Sequence, residues 1–186
     1  MNIAGKTVSI GAIVAAVGGV VAAVGALLVW YSMTMNETGL GQSVNVSVEA
    51  KGTDSTAGLL ALVLGIVVVV LVVASVQGVK IPSLSLAFVA IGVVILVLLA
   101  VSFFTNIFPV HFTATGGANG NLDGKSVKDG FDEFNKAFAA AKLQAASVPG
   151  LTVSGGAGPG IGFILDAIAG ILMIVGGGLG LMKKSA

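Results

Sequence analysis

Of the 186 residues, 56% are apolar and only 9% are charged, with a mean hydropathy of +1.08; soluble domains carry about 25% charged residues, so this is the composition of one membrane bundle. Nine lysines against eight acids leave a formal net charge of +1, too small a basic excess to hold a phosphate backbone, which excludes nucleic acid as a partner. The chain has no cysteine, no arginine and one histidine, His111, so disulfides, thiol catalysis, thiolate or multi-histidine metal sites and guanidinium clamps are excluded together.

A bilayer core of about 30 Å requires roughly 20 apolar residues in a helix. Four stretches meet that length, at 8–31, 57–79, 84–108 and 160–182. They predict a membrane all-α four-helix bundle in a single domain, 1–186, with 32–56 and 109–159 forming a cap. The first stretch follows Lys6 but exceeds the roughly 7–15 apolar residues of a signal-peptide core, so it is expected to be retained. Within it Gly11, Ala15, Gly19 and Ala23 recur every four residues, a small-residue face that lets a neighbouring backbone approach. Trp30 and Tyr31 close the span as an interfacial aromatic belt would.

The next segment reads as a β-hairpin rising directly from the first span. Trp30 to Asn36 alternates in part, Thr38-Gly39-Leu40-Gly41 supplies a turn, and Ser43-Val44-Asn45-Val46-Ser47-Val48-Glu49 alternates polar with apolar residues at period two. Two glycosylation tripeptides, Asn36-Glu37-Thr38 and Asn45-Val46-Ser47, fall within it; such tripeptides arise often by chance. The second span starts at Gly58-Leu59-Leu60 and, like the third, is dominated by Val, Leu and Ile, which predicts greater lipid exposure for this pair. Lys80-Ile81-Pro82-Ser83 between them is a tight turn with no room for a domain. Phe103, Phe104 and Phe108 close the third span as a further part of the belt, with Asn106 as the polar residue among them.

Beyond the third span, Val110-His111-Phe112-Thr113-Ala114 and Leu151-Thr152-Val153 are strand candidates. Joined to the hairpin, they predict one small antiparallel β-sheet sitting on the bundle. Between them Ser126 through Ala146 reads as an amphipathic helix. Ser126 with Asp129 fits a capping box, Asp132 and Lys136 are spaced for an ion pair, and Pro149-Gly150 ends it. Phe131, Phe134 and Phe138 share one face with Ala141; that face is expected to pack on the sheet or bundle, with docking of a partner protein as the alternative. The stretches 116–124 and 155–160 read as glycine-rich connectors. Asn119, Asn121, Asp123 and Gly124 imitate the start of a calcium loop. Asn stands at its first ligand position, however, and Gly130 where a bidentate Glu is needed, so an ordinary turn and no metal site is expected.

The fourth span carries Gly162, Gly170, Gly176 and Gly180 on one side, together with Asp166, the only acid in any span. An ionisable group at this depth is costly and is by default a functional hypothesis. Asp166 shares a row with Gly162 and Gly170 and so should face the bundle, where Asn106, Ser102, Tyr31 or His111 could partner it. Its roles are a hydrogen-bonded lock between helices, proton or cation handling, or a contact between subunits. Lys6, Lys80, Lys183 and Lys184 fall at one end of the spans with no acid among them. The positive-inside rule therefore predicts a multi-pass protein of the cytoplasmic membrane, both termini cytoplasmic and the cap extracytoplasmic.

A first span ending in Val29-Trp30-Tyr31, a strand-forming loop after it, the Gly58-Leu59-Leu60 start and a glycine-rich last span closing with Met182-Lys183-Lys184 resemble a loose class of small bacterial and archaeal four-span proteins of unassigned function. In layout the chain is also similar to the claudin-type tetraspan proteins, which set a small outer sheet on a four-helix bundle. It lacks their outer-loop cysteine pair, and the second segment of its cap is longer and carries a helix. The resemblance implies fold only and transfers no functional residue.

No Ser/His/Asp set, paired catalytic carboxylates or phosphate-cradling loop stands out, and the glycines at 155–160 precede a membrane helix, not a dinucleotide-binding one. No catalytic residue, cofactor or metal ligand is assigned, and the chain is not expected to be an enzyme. The leading expectation is a non-catalytic scaffold or accessory subunit. It would pack laterally in membrane lipid with other membrane protein subunits, or as a homo-oligomer, and present its cap to a partner. The alternatives are a pore or transporter component using Asp166, and a surface adhesion or junction-like protein.

Overall fold

The computed structural model describes residues 2–3, 6–39, 42–105, 111–114, 119–121 and 127–182. Two short strands, β1 (Asn2–Ile3) and β2 (Lys6–Thr7), pair with each other ahead of α1 (Ile10–Leu27). A long hairpin follows, β3 (Val29–Gly39) and β4 (Gln42–Lys51), then a single 3-10 turn (Gly52–Asp54). Two helices, α2 (Thr56–Val76) and α3 (Leu84–Phe104), lead to β5 (His111–Ala114) and β6 (Asn119–Asn121). The chain closes with α4 (Val127–Ala146), β7 (Thr152–Pro159) and α5 (Ile161–Met182).

Four of these helices, α1, α2, α3 and α5, are each long and apolar enough to cross a membrane. Their outward faces carry half-exposed aliphatic side chains along the whole length, among them Val20, Val24, Val63, Ile66, Val70, Val97, Ile164 and Ile171. A monomer in water does not present an apolar surface of this extent. These helices support a multi-pass membrane protein, with α2 and α3 burying less of themselves than α1 and α5.

The packing surface of each span follows a 3-4 alternation. Gly11, Ala15, Gly18, Ala22 and Gly25 are buried on α1; Gly58, Ala61, Gly65, Val68 and Val72 on α2; Phe88, Gly92, Ile95, Leu99 and Ser102 on α3; Gly162, Asp166, Ala169, Met173 and Gly176 on α5. This average spacing of 3.5 is the seam of helices that wrap around one another at a shallow angle. The expected every-fourth-residue face on α1 is therefore split between two neighbours. A methyl group at Gly11 would collide with the carbonyl oxygen of Gly176 on α5, whereas one at Gly19 would lie 2.7 Å from the carbonyl oxygen of Gly65 on α2. Ala15 is fully buried on the shared edge, and Ala23 is only half-buried. On α5, Gly162 abuts Gly25, Gly170 abuts Gly92 of α3, and Gly180 meets Ser85 of α3. All of these close approaches join helices of the one chain.

The larger sheet has the order β6-β5-β4-β3-β7 and is antiparallel throughout, with β3, β4 and β7 as its long strands. The hairpin register pairs Gly39 with Gln42, which leaves the turn where the glycines predicted it. Two elements differ from expectation. The first helix stops at Leu27, four residues short of the predicted span end, because β-branched and aromatic residues from Val29 onward enter the sheet. The stretch 155–160, expected to be a connector, is mostly strand: β7 pairs along β3 from Thr38↔Thr152 to Tyr31↔Pro159. Glycine is tolerated there because Gly155, at φ 144°, lies directly against the carbonyl of Thr34, where no Cβ would fit.

Helix α4 lays Phe131, Phe134, Phe138, Ala141 and Ala145 toward the protein and its charged residues outward. Phe131 is buried in the core, and Phe134 and Phe138 are half-buried and stacked on each other. Phe131 thus packs inside the protein, while Phe134 and Phe138 remain partly exposed. Asp132 pairs with Lys128 at 2.7 Å, and not with the expected Lys136; the ammonium holds the carboxyl below its ordinary range and is itself raised by it. The capping residue Ser126, the belt residue Phe108 and most of the calcium-like stretch lie outside the described residues.

The glycine contacts predict an asymmetric response to added methyl groups. Gly65→Ala should destabilise the protein by roughly 1–3 kcal/mol, since two backbones must separate. Gly178→Ala, which meets nothing within 4 Å, should be neutral or slightly stabilising. Thermal unfolding in mild detergent checks both.

Candidate functional site

Polar groups inside the bundle gather where it meets the sheet, and β3 brings them there. Val29 pairs with Lys51 and Tyr31 with Ala50, so Trp30 is the extra residue of a β-bulge. In a regular strand Trp30 and Tyr31 would point to opposite faces; a bulge re-aims one of them. Both side chains are buried, at 0% and 4% exposure. The main chain at the bulge is held by the Gly160 N–H, which donates to the Trp30 carbonyl at 2.6 Å.

The Trp30 indole N–H donates to Asp166 Oδ2 at 2.9 Å, joining β3 to α5. Space for this pair comes from three glycines. A methyl group would lie 2.5 Å from Trp30 Nε1 at Gly52, 2.9 Å from Trp30 Cδ1 at Gly162, and 2.6 Å from Asp166 Oδ1 at Gly25. One residue on, the Tyr31 hydroxyl meets Ser102 Oγ of α3 at 3.0 Å. Ser102 gives its one proton to the Leu99 carbonyl at 2.8 Å, so Tyr31 is the donor of the pair. Two consecutive residues of one strand are therefore bonded to two different membrane helices.

An aromatic cluster seals the junction. Phe163 lies 5.9 Å from Trp30 and 5.5 Å from Tyr31 between ring centroids, and Phe131 brings α4 to Tyr31 at 5.9 Å and to Phe103 at 6.1 Å. Such pairs each contribute about 0.5–1.5 kcal/mol beyond burial. The third buried polar side chain here, Ser55, caps α2 by accepting from the Gly58 N–H and donates to the Gly52 carbonyl.

Asp166 is buried as expected, but its partner is Trp30, a residue assigned to the aromatic belt. Tyr31 and Ser102, both named as candidates for Asp166, bond to each other instead. Asn106 lies outside the described residues, as does the side chain of His111. Asp166 Oδ1 has no hydrogen-bond partner among the described residues. The sequence did hold one signal for the true pair: an indole N–H removed from water needs an acceptor, and a span contains a single carboxyl group. The bulge that turns Trp30 toward it left no comparable mark.

The sheet also has an open face. Ser32, Thr34, Asn36 and Thr38 on β3 stand in register with Glu49, Ser47, Asn45 and Ser43 on β4 and with Gly158, Gly156, Ser154 and Thr152 on β7. Met33, on the alternate face, points toward Gly130 of α4. The helix thus covers one side of the sheet, and the other carries hydroxyls, amides, glycines and the Glu49 carboxylate. The two glycosylation asparagines, Asn36 and Asn45, are direct cross-strand neighbours on it.

No protein-family model matches the chain, and no curated protein matches its sequence.

The junction predicts energetic coupling between Trp30 and Asp166. Trp30→Phe should cost about 1–3 kcal/mol by leaving a buried carboxyl oxygen unpaired, and the double variant Trp30→Phe/Asp166→Leu should cost less than the sum of the singles. Tyr31→Phe should cost less, because Ser102 keeps its bond to Leu99. Unfolding free energies in detergent close the cycle. Trp30 is the only tryptophan, so its fluorescence in the wild type should be shielded from aqueous quenchers and should become accessible on unfolding.

Proposed function

We propose that the protein is a non-catalytic membrane scaffold or accessory subunit, which holds a rigid sheet-and-helix cap at the surface of the cytoplasmic membrane for a partner membrane protein to dock on. The observation that carries this reading is the use of the intramembrane polar groups. Asp166, Ser102 and Ser55 are buried at the cap end and hold chain elements to one another. Through the rest of the bundle the buried surface is Gly, Ala, Val, Ile, Leu, Met and Phe in close contact. An ion path needs polar lining or water-filled space at this depth.

Within this reading the cap is extracytoplasmic and both termini are cytoplasmic, in keeping with the lysine distribution. The glycine faces being used inside the chain, the polar face of the sheet is the docking surface. A claudin-like layout belongs to the same proposal, as a likeness of architecture.

Affinity purification from the native membrane in mild detergent, with mass spectrometry, tests it. A membrane protein should co-purify at fixed stoichiometry and be lost on Thr34→Arg or Ser47→Arg, with thermal stability changed by less than about 0.5 kcal/mol. Liposomes containing this protein alone should pass no ions across a range of pH. Flux abolished by Asp166→Asn would instead establish the pore reading, and a pure homo-oligomer that aggregates coated beads through the cap would establish adhesion.

A further inference from the structure

At the end of the bundle away from the large sheet the four membrane helices do not close. Ser9 at the start of α1, Ser75 near the end of α2, Leu84 and Ser85 at the start of α3 and Gly180 near the end of α5 line a crevice of about 350 Å³, with Ile81 of the connecting turn at its side. The cause is side-chain size. One layer further in, Ala12, Val72 and Phe88 fill the space between helices, whereas in the terminal layer three serines and a glycine stand beside Leu84.

The hydroxyls retain bonding capacity. Ser9 Oγ accepts from the Ala12 N–H at 3.1 Å, which leaves its own O–H to donate. Ser75 gives its proton to the Val72 carbonyl at 2.7 Å. The chain segments that enter and leave the helices at this end, 1–9, 77–83 and 183–186, contain Lys6, Lys80, Lys183 and Lys184 and no Asp or Glu. All eight acids of the chain belong to the segments joining the spans at the other end or to the cap-side end of α5. Beside the crevice, Val73, Val79 and Leu86 present aliphatic side chains that are about half exposed.

We propose that this crevice seats the phosphate headgroup of an anionic phospholipid. The Lys80 ammonium, carried between the lining residues Val79 and Ile81, balances the phosphate charge, the Ser9 hydroxyl donates to a phosphate oxygen, and an acyl chain lies along the valine and leucine side chains of α2 and α3. Basic pockets between membrane helices hold anionic headgroups by this combination of charge and fit. A neutral lipid would leave Lys80 unbalanced, and free phosphate would not use the aliphatic rim. Neither the orientation of the bundle nor the scaffold reading enters this inference.

The full chain, purified in mild non-ionic detergent, is titrated with phosphatidylglycerol, phosphatidylcholine or inorganic phosphate, and occupancy is read by native mass spectrometry and thermal shift. Phosphatidylglycerol alone should bind at one lipid per chain and raise the melting temperature. Ser75→Leu and Ser85→Leu fill the crevice from opposite walls; whichever remains monodisperse should lose that selective binding, and Lys80→Ala should weaken it roughly fivefold. Equal binding of the two lipids, binding of inorganic phosphate at the same strength, or undiminished phosphatidylglycerol binding in a folded leucine variant would overturn the proposal.

Discussion

Between apolar helices in a bilayer there is no water to expel, so burying one Val or Leu against another gains little over leaving both in lipid. Association must come instead from close van der Waals contact and from hydrogen bonds too deep for water to compete with. Both are present, and they divide the molecule between them. Backbone-to-backbone approach at Gly11–Gly176, Gly25–Gly162, Gly19–Gly65 and Gly92–Gly170 holds the helices together along their length. Hydrogen bonds from Trp30 and Tyr31 fix the cap-side end.

The same constraint explains which parts of the fold are legible in the amino-acid sequence. Span lengths depend on summed hydropathy, which has no competitor in a chain this apolar, and the helices appear where the stretches lie. The 3-4 packing rows are harder to see, because the hydrophobic contrast that reveals a helix face in water is missing when every face is apolar. Only the small residues mark the seam. A fixed four-residue spacing through Gly11 and Gly19 reads as one face, although the two glycines serve two neighbours. Strand β7 is concealed for a related reason: Ser154-Gly155-Gly156-Ala157-Gly158 has almost no side-chain pattern, and its conformation is set by pairing with β3. At the junction, Asp166 announces itself by charge, whereas its partner depends on a one-residue bulge that no local pattern encodes.

The bulge links the two halves of the structure. Without the extra residue, Trp30 and Tyr31 would leave the strand on opposite sides, and only one could reach into the bundle. With it, β3 reaches α5 through one side chain and α3 through the next, and the aromatic cluster adds α4 through Phe131. The strand also follows α1 after only one residue, Leu28, so a tilt of the first helix relative to α5 or α3 would have to break a buried hydrogen bond. A buried carboxyl group is expensive in this setting, and its location bears on its use. Beside Gly25 and bonded to the indole, Asp166 holds the sheet to a helix.

The two ends of the bundle consequently differ in kind. At the sheet end the buried hydroxyls of Tyr31, Ser55 and Ser102 and the Trp30 indole N–H each find a partner within the chain. At the other end Ser9, Ser75, Ser85 and Gly180, together with Val79, Ile81 and Leu84, leave a crevice, and the adjoining stretches of sequence contain lysines and no Asp or Glu. A chain selected only for stability would fill that layer with Leu or Phe, as it does at Phe88 one turn further in, since unfilled volume forfeits dispersion contacts that neighbouring layers secure. The opening persists at the end of the bundle whose adjoining sequence carries lysines without acids. Space, the Ser9 hydroxyl and the Lys80 cation together form a seat for an anion with an apolar tail, through which the bilayer would complete the packing of this end.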